Sequence, residues 1–275
     1  MLIPLFNYQS IATNLEGGFL QSMELANLND KLREKMNESI QKITNDKKIG
    51  IAFSGGVDSS LLAKLCTNLG YDVTLLTIGF ADSHDIQFSK EISRLFGYEH
   101  KIEKISSKIF PEIAEQIRKI IKSDNLSWNE NCIAFYFVSK LAERYGFDKI
   151  LTANGIDELF CGYNAYRDAI THGSDSVMNL MELKIENEIN MMKAVNTVVS
   201  EFGVNILQPF LSKEFVNFAK KIPVGEKIHG PDDLMRKHII RDLALTIGVP
   251  KEAAFKRKKA LQYGSFIHKA LMKIK

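Results

Sequence analysis

Four short β-rich runs alternate with longer stretches of helical spacing along the first 154 residues, and this alternation restricts the fold more than any other feature of the chain. The runs are KIGIAFS, DVTLLTIGF, HKIEKI and KILTAN; helical patterns fill 57–69, 85–96, 110–122 and 133–145 between them. Strands joined by a helix rather than a tight turn run parallel, with the helices packed on the faces of the sheet. The expected fold class is therefore α/β, a doubly wound, mostly parallel sheet. An amphipathic helix over 28–43 leads in, with Leu28, Leu32, Met36, Ile40 and Ile43 on one side. From about Tyr166 the pattern becomes mostly helical, over 175–202, 213–222 and 232–248, punctuated by Pro209, Pro223, Pro231 and Pro250. This divides the chain into a lead-in segment (1–46), an α/β core (47–165) and a helical region (166–275) that closes over the core.

With 275 residues, 45% of them hydrophobic, the chain can bury a substantial core. The 36 basic residues nearly balance the 33 acidic ones, which argues against a nucleic-acid or membrane surface. Cys66, Cys132 and Cys161 show neither disulfide nor zinc spacing, and Cys161 reads as a buried structural thiol. Histidines 84, 100, 172, 229, 238 and 268 form no metal spacing either. The N-terminus has no basic leader, and no run approaches the roughly 18 apolar residues of a membrane span. A soluble, cytoplasmic protein is the expectation.

Chemistry concentrates where the first strand gives way to its helix, in SGGVDSS. Ligands of open parallel sheets bind at the carboxyl ends of strands. There, Gly55 and Gly56 permit a sharp turn that exposes backbone N–H groups, and the helix beginning near Val57 adds its positive end. Ser54, Ser59 and Ser60 supply hydroxyls for phosphate oxygens. Asp58 is the odd member, since a carboxylate about 4 Å from a phosphate costs about 4 kcal/mol per unit charge pair at an effective dielectric of 20. A bridging Mg²⁺ resolves that conflict. The bland alternative is a helix start in which Asp58 complements the dipole, which leaves the paired glycines and three hydroxyls unexplained.

A second stretch, LTANGIDELFCGYNAY (151–166), follows the fourth strand and opens on the same edge of the sheet. Asp157 and Glu158 can then face Asp58 across one crevice, with Asp157 as a second magnesium ligand. Read alone, the two acids could simply favour a helix N-terminus. A third stretch, KRKKALQYGS (256–265), is a basic run that either forms a solvated face or returns over the crevice through its Gly-Ser turn.

Ser54-Gly55-Gly56-Val57-Asp58-Ser59 resembles the pyrophosphate-binding loop of the PP-loop ATP pyrophosphatases, whose fold is adenine nucleotide alpha-hydrolase-like. The second stretch resembles the SGEGxDELFxGY signature of the asparagine synthetase family. LLTIGF, ILQPFLSKEFVNFAKKIP and MRKHIIRDLA resemble further family segments in the same order. The resemblance implies an ATP- and Mg²⁺-dependent ligase that activates a carboxylate, aspartate or similar, as an acyl-adenylate and passes it to ammonia or another amine. It implies ATP contacts from the first loop, from Gly155, and from Thr77, Ile78 and Gly79 around adenine. It also implies Lys259 as the cation on the transferring phosphoryl group, with Lys258 close behind.

Two departures qualify this. The chain opens Met1-Leu2, without the cysteine that begins the family's glutaminase domain, so free ammonia, another amine or a separate glutaminase subunit is expected to serve; a homodimer is also admitted. Asn154 stands where the signature has glutamate, and an amide cannot accept a proton near neutral pH. Either Glu158 or another residue is then the base, or the acceptor differs. A tRNA-modifying PP-loop enzyme and a non-catalytic nucleotide-binding homologue are the alternatives.

Overall fold

The computed structural model describes residues 8–257 and 260–274, with side chains from residue 25 onward. The elements in order are α1 (Tyr8–Ile43), β1 (Lys48–Ala52), α2 (Val57–Asn68), β2 (Asp72–Gly79), α3 (His84–Phe96), β3 (Glu99–Lys104), α4 (Phe110–Ile121), α5 (Leu126–Arg144) and β4 (Lys149–Leu151). They continue with α6 (Ile156–Leu159), α7 (Ala165–Ile170), α8 (Ser174–Val199), β5 (Asn205–Leu207), α9 (Lys213–Lys220), α10 (His238–Thr246), α11 (Lys251–Ala254), α12 (Leu261–Gly264) and α13 (Ile267–Leu271).

All five strands are parallel, in the order β3-β2-β1-β4-β5. The winding reverses between β1 and β4, so a crevice opens beyond their carboxyl ends, the position at which doubly wound sheets bind ligands. The loops after β1 and β4 carry the first two sequence motifs.

Side chains alternate across the central strand. Ile49 and Ile51 join Leu61, Leu65, Met36 and Ile240 in one buried cluster, while Leu76, Ile78 and Ile150 join Phe137, Leu141 and Val195 in another on the opposite face. The result is three layers, helix on sheet on helix. Gly50 sits between the two isoleucines of β1, facing the second cluster; a Cβ there would lie 2.9 Å from Leu76 and 3.0 Å from Ile150. The absence of a side chain lets the neighbouring strands' residues close over the centre of the sheet.

Several elements differ from the sequence reading. α1 extends back to Tyr8, well before the expected start at Leu28. β5 was not anticipated, because its three residues, NIL, are too few to show a strand period. α5 begins at Leu126, seven residues before the expected helical pattern over 133–145, because Asn125 caps it there by accepting from the Trp128 N–H. α10 begins at His238, six residues after the expected start, because Arg236 and Lys237 adopt left-handed backbone conformations, with φ of 48° and 56°.

Candidate active site

The loop after β1 is held by its own hydroxyls. Gly55 turns the chain with a φ of +80°, a conformation that a side chain disfavours. The Ser60 hydroxyl donates to the Gly55 carbonyl at 3.2 Å, and the Gly56 N–H donates to the Ser54 oxygen at 3.3 Å. Gly56 caps α2 without a side chain, so the first turn of this 12-residue helix presents its amides to the crevice. Ser54, Gly56, Asp58 and Ser59 all line one cavity of about 270 Å³.

The loop after β4 supplies the opposite wall with Thr152, Asn154, Asp157 and Glu158. Gly155 starts α6 with a φ of +101°, and a Cβ on it would lie 2.9 Å from the Phe210 carbonyl oxygen. Glu158 is buried with both oxygens engaged: Oε2 accepts from the Gly155 N–H at 3.1 Å and Oε1 from the Tyr163 hydroxyl at 2.5 Å. Burial, followed by the negative charge of Glu188, pushes the Glu158 carboxyl up to about 8. Gly162 leaves room for its neighbour, since a Cβ there would overlap the Asp157 carboxylate.

Between the two loops stands Lys237, a residue the sequence reading did not single out. Its ammonium donates to Asp58 Oδ2 at 2.7 Å, to Asp58 Oδ1 at 2.9 Å and to Asp157 Oδ1 at 2.9 Å. The two aspartates expected to share a divalent ion thus converge on one cation of the chain itself. Lys237 is only 1% exposed. Burial lowers its pKa, against the opposing pull of the Asp58 charge.

The turn that delivers Lys237 is built by Asp233. Its Oδ1 accepts from the N–H groups of Met235 and Arg236, each at 2.9 Å, and its Oδ2 from the His229 N–H at 3.0 Å and His238 Nε2 at 2.7 Å. Burial alone would raise this carboxyl; the backbone donors and His238 outweigh it and hold Asp233 far below the usual carboxylate range. Arg241 braces the same turn by donating to the Met235 and Arg236 carbonyls, and Arg236 reaches back to the Gly162 carbonyl at 3.2 Å. His229, Asp233 and His238 form a group within metal-ligand reach that sequence spacing did not show. Asp233 already serves as the acceptor that shapes the turn.

A further wall of the cavity is formed by α5 and α8. Ser127 and Asn131 face it from α5, and Lys184, Asn187, Glu188 and Met191 from one side of α8. Glu188 is 5% exposed and accepts from the Asn154 amide, whose own oxygen accepts from the Thr152 hydroxyl. A carboxylate therefore sits one hydrogen bond from the position where the resembled signature has glutamate. Glu188 was also missed, yet it left a signal: in α8 it shares the buried face with Val177, Met181, Ile185, Met192 and Val195, and an acid at such a position calls for a reason.

Not every expected ligand contact reaches the cavity. Gly55, Ser60, Thr77, Gly79 and Gly155 are not among its lining residues. Ser60 is turned inward by its bond to Gly55, and the Thr77 hydroxyl donates to the Phe53 carbonyl at 2.6 Å and meets His100 Nε2 at 2.8 Å. Strand alternation leaves Leu76 and Ile78 on the cavity side. Lys259 and Lys258 lie outside the described residues. The basic segment around them does return over the crevice, since Lys256, Arg257, Ala260, Leu261 and Gln262 line it. Cys161 is buried and its thiol is pushed up to about 12 by desolvation, as for a structural cysteine.

The family described as asparagine synthase matches residues 31–200, a span that holds both acidic loops and Glu188. The chain belongs to the asparagine synthase family. A protein of Methanocaldococcus jannaschii named as a glutamine-hydrolysing asparagine synthetase is 27% identical over 277 residues, covering 88% of this chain and 50% of that protein. The glutamine-hydrolysing asparagine synthetase of Rattus norvegicus is 24% identical, covering 88% of this chain and 44% of its own length. The chain thus spans about half the length of the curated relatives it matches. Among solved structures, the NMN synthetase of Francisella tularensis aligns with a TM-score of 0.45 and 16% identity, over 87% of this chain and 77% of that one. Among the described residues no helix is long and apolar enough to cross a membrane.

Proposed function

We propose that this chain is an ATP-dependent, AMP-forming amide ligase that activates a small carboxylate, aspartate or a close relative, and transfers it to ammonia or another amine. The observation that carries the reading is the convergence of Asp58 and Asp157, from the loops after β1 and β4, on a single buried ammonium beside the N-terminus of α2. Such an arrangement suits a polyphosphate, which needs donors at one end and counter-charge along its length.

In this reading the α2 amides and the Ser54 and Ser59 hydroxyls take the terminal phosphates, and Leu76 and Ile78 give the base an apolar wall. The donor set of two carboxylates fits a hard divalent cation. Asp58 and Asp157 would hold Mg²⁺, which when bound supplies positive charge to the leaving pyrophosphate. Lys237 limits the repulsion between the two aspartates and keeps both aimed at the crevice. The substrate carboxylate oxygen bonds to the α-phosphorus as the bridging bond to the β-phosphate breaks, releasing pyrophosphate. The amine then adds to the activated carbonyl, the carbon–oxygen bond to AMP breaks, and the amide leaves with AMP as the second product.

The test is direct. The protein is incubated with ATP, Mg²⁺, aspartate and ammonium, and nucleotide and amino-acid products are separated by chromatography. AMP with asparagine supports the reading; ADP as the only nucleotide product overturns it.

A further inference from the structure

The amide-forming half of such a reaction needs a proton acceptor, and the signature position offers only an amide. As nitrogen adds to the acyl carbon it acquires positive charge, and the adduct reverts unless that nitrogen loses a proton. Asn154 cannot take it. Glu158 adjoins the site, but the Gly155 N–H and the Tyr163 hydroxyl occupy its two oxygens and tie it to the start of α6.

Across the cavity, α8 offers another carboxylate. Glu188 accepts from the Asn154 amide, and that amide is fixed in turn because its oxygen accepts from the Thr152 hydroxyl. Asn154 thus acts as a bracket between the loop after β4 and the middle of α8. Glu188 also lines the cavity, with Lys184 one turn earlier and Met191 one turn later on the same helix face. It occupies a core position of an otherwise apolar stripe, where a carboxyl has no packing advantage over leucine or methionine.

We infer that Glu188, oriented by Asn154, is the group that removes the proton from the attacking amine, taking over a role that the carboxylate at the signature position would otherwise fill. The inference rests on the ligase reading above. In the step, the amine nitrogen bonds to the acyl carbon of the adenylate, a nitrogen proton moves to a Glu188 oxygen, and the carbon–oxygen bond breaks to release AMP. Glu188 afterwards returns the proton to solvent. Burial raises the Glu188 carboxyl above its ordinary value, which strengthens it as a base.

The experiment separates the two half-reactions. With aspartate as the probe, activation is followed by ATP–pyrophosphate exchange and amide formation by asparagine released with ammonium or by the hydroxamate formed with hydroxylamine. Glu188→Gln, which keeps size and hydrogen bonding, is expected to change exchange by less than about threefold while lowering asparagine formation about 100-fold or more. Hydroxylamine, whose adduct sheds its proton more readily, should suffer a loss about tenfold smaller. In the double variant Asn154→Glu with Glu188→Gln the carboxylate is moved across the hydrogen bond, and amide formation should recover at least about tenfold over the single variant.

Unchanged asparagine formation in Glu188→Gln overturns the assignment and leaves the ligase reading intact. Equal loss of exchange and amide formation, or a raised KM for aspartate without a loss of turnover, also overturns it, since either places Glu188 in folding or in substrate binding. Absence of AMP from the wild-type protein overturns the ligase reading itself, and the Glu188 assignment falls with it.

Discussion

The Lys237 ammonium meets both carboxylate oxygens of Asp58, at 2.7 and 2.9 Å, although the two residues are 179 positions apart. Deleting one partner of a buried pair leaves a desolvated charge behind, at a cost of about 3–5 kcal/mol. Lys237→Met leaves Asp58 and Asp157 facing each other, and urea unfolding should show a loss of stability of that order. A loss below about 1 kcal/mol, the range of exposed pairs, would mean that water already screens the two aspartates.

Adjacent serines allow a second test, because only one of them lines the cavity. Ser59 lines the cavity, with its hydroxyl donating to the Gly56 carbonyl at 3.3 Å, whereas Ser60 is fully buried away from it with its hydroxyl on the Gly55 carbonyl. Ser59→Ala is expected to weaken ATP binding several-fold with little change in unfolding midpoint. Ser60→Ala should lower stability by about 1 kcal/mol, read by chemical denaturation. Opposite results for the pair would reverse the assignment of which hydroxyl meets phosphate.

Gly162 carries no special backbone conformation, yet a methyl group there would collide with Asp157. Gly162→Ala should therefore displace that carboxylate and reduce AMP formation by about tenfold or more, since small misplacements in a reacting site are costly. Isothermal titration with an ATP analogue and AMP release would both register it. Full activity in this variant would separate Asp157 from the nucleotide chemistry.

His100 supplies a pH-dependent contribution. Desolvation, helped by the nearby charge of Lys90, lowers its pKa to about 4 from an ordinary value of 6.5. The unfolded chain then binds a proton at His100 more readily than the folded one between those values, so stability present above pH 6.5 is lost as pH falls toward 4. Thermal midpoints of wild type and His100→Asn, measured from pH 7.5 to 4.5, should converge on the acid side. A constant difference across that range would show that His100 titrates alike in both states.

Much of the site was legible in the sequence because its parts sit where strands end. A parallel sheet carries the loops after β1 and β4 to one edge, so Asp58 and Asp157 could be placed in one crevice from strand periodicity alone. Lys237 and Glu188 could not be placed in that way, since each comes from the helical part, where periodicity gives a face but no partner. Both nevertheless occupy buried positions in the company of apolar residues, Lys237 ahead of Ile240 and Glu188 between Ile185 and Met192. The inward turn of Ser60 and Thr77 was invisible for another reason: a hydroxyl beside a phosphate loop satisfies a backbone carbonyl as readily as a ligand.

The strand order has a consequence for how the molecule comes to life. β1, β2 and β3 are neighbours in sequence as well as in space and can assemble from nearby contacts, but β1 also awaits β4, and the crevice awaits Lys237, 179 residues after Asp58. A chain emerging from the ribosome would hold its glycine turn early and its counter-charge late. The crevice is thereby completed only once the helical part has emerged, and the pairing of its two acidic loops is settled by a segment made long after them.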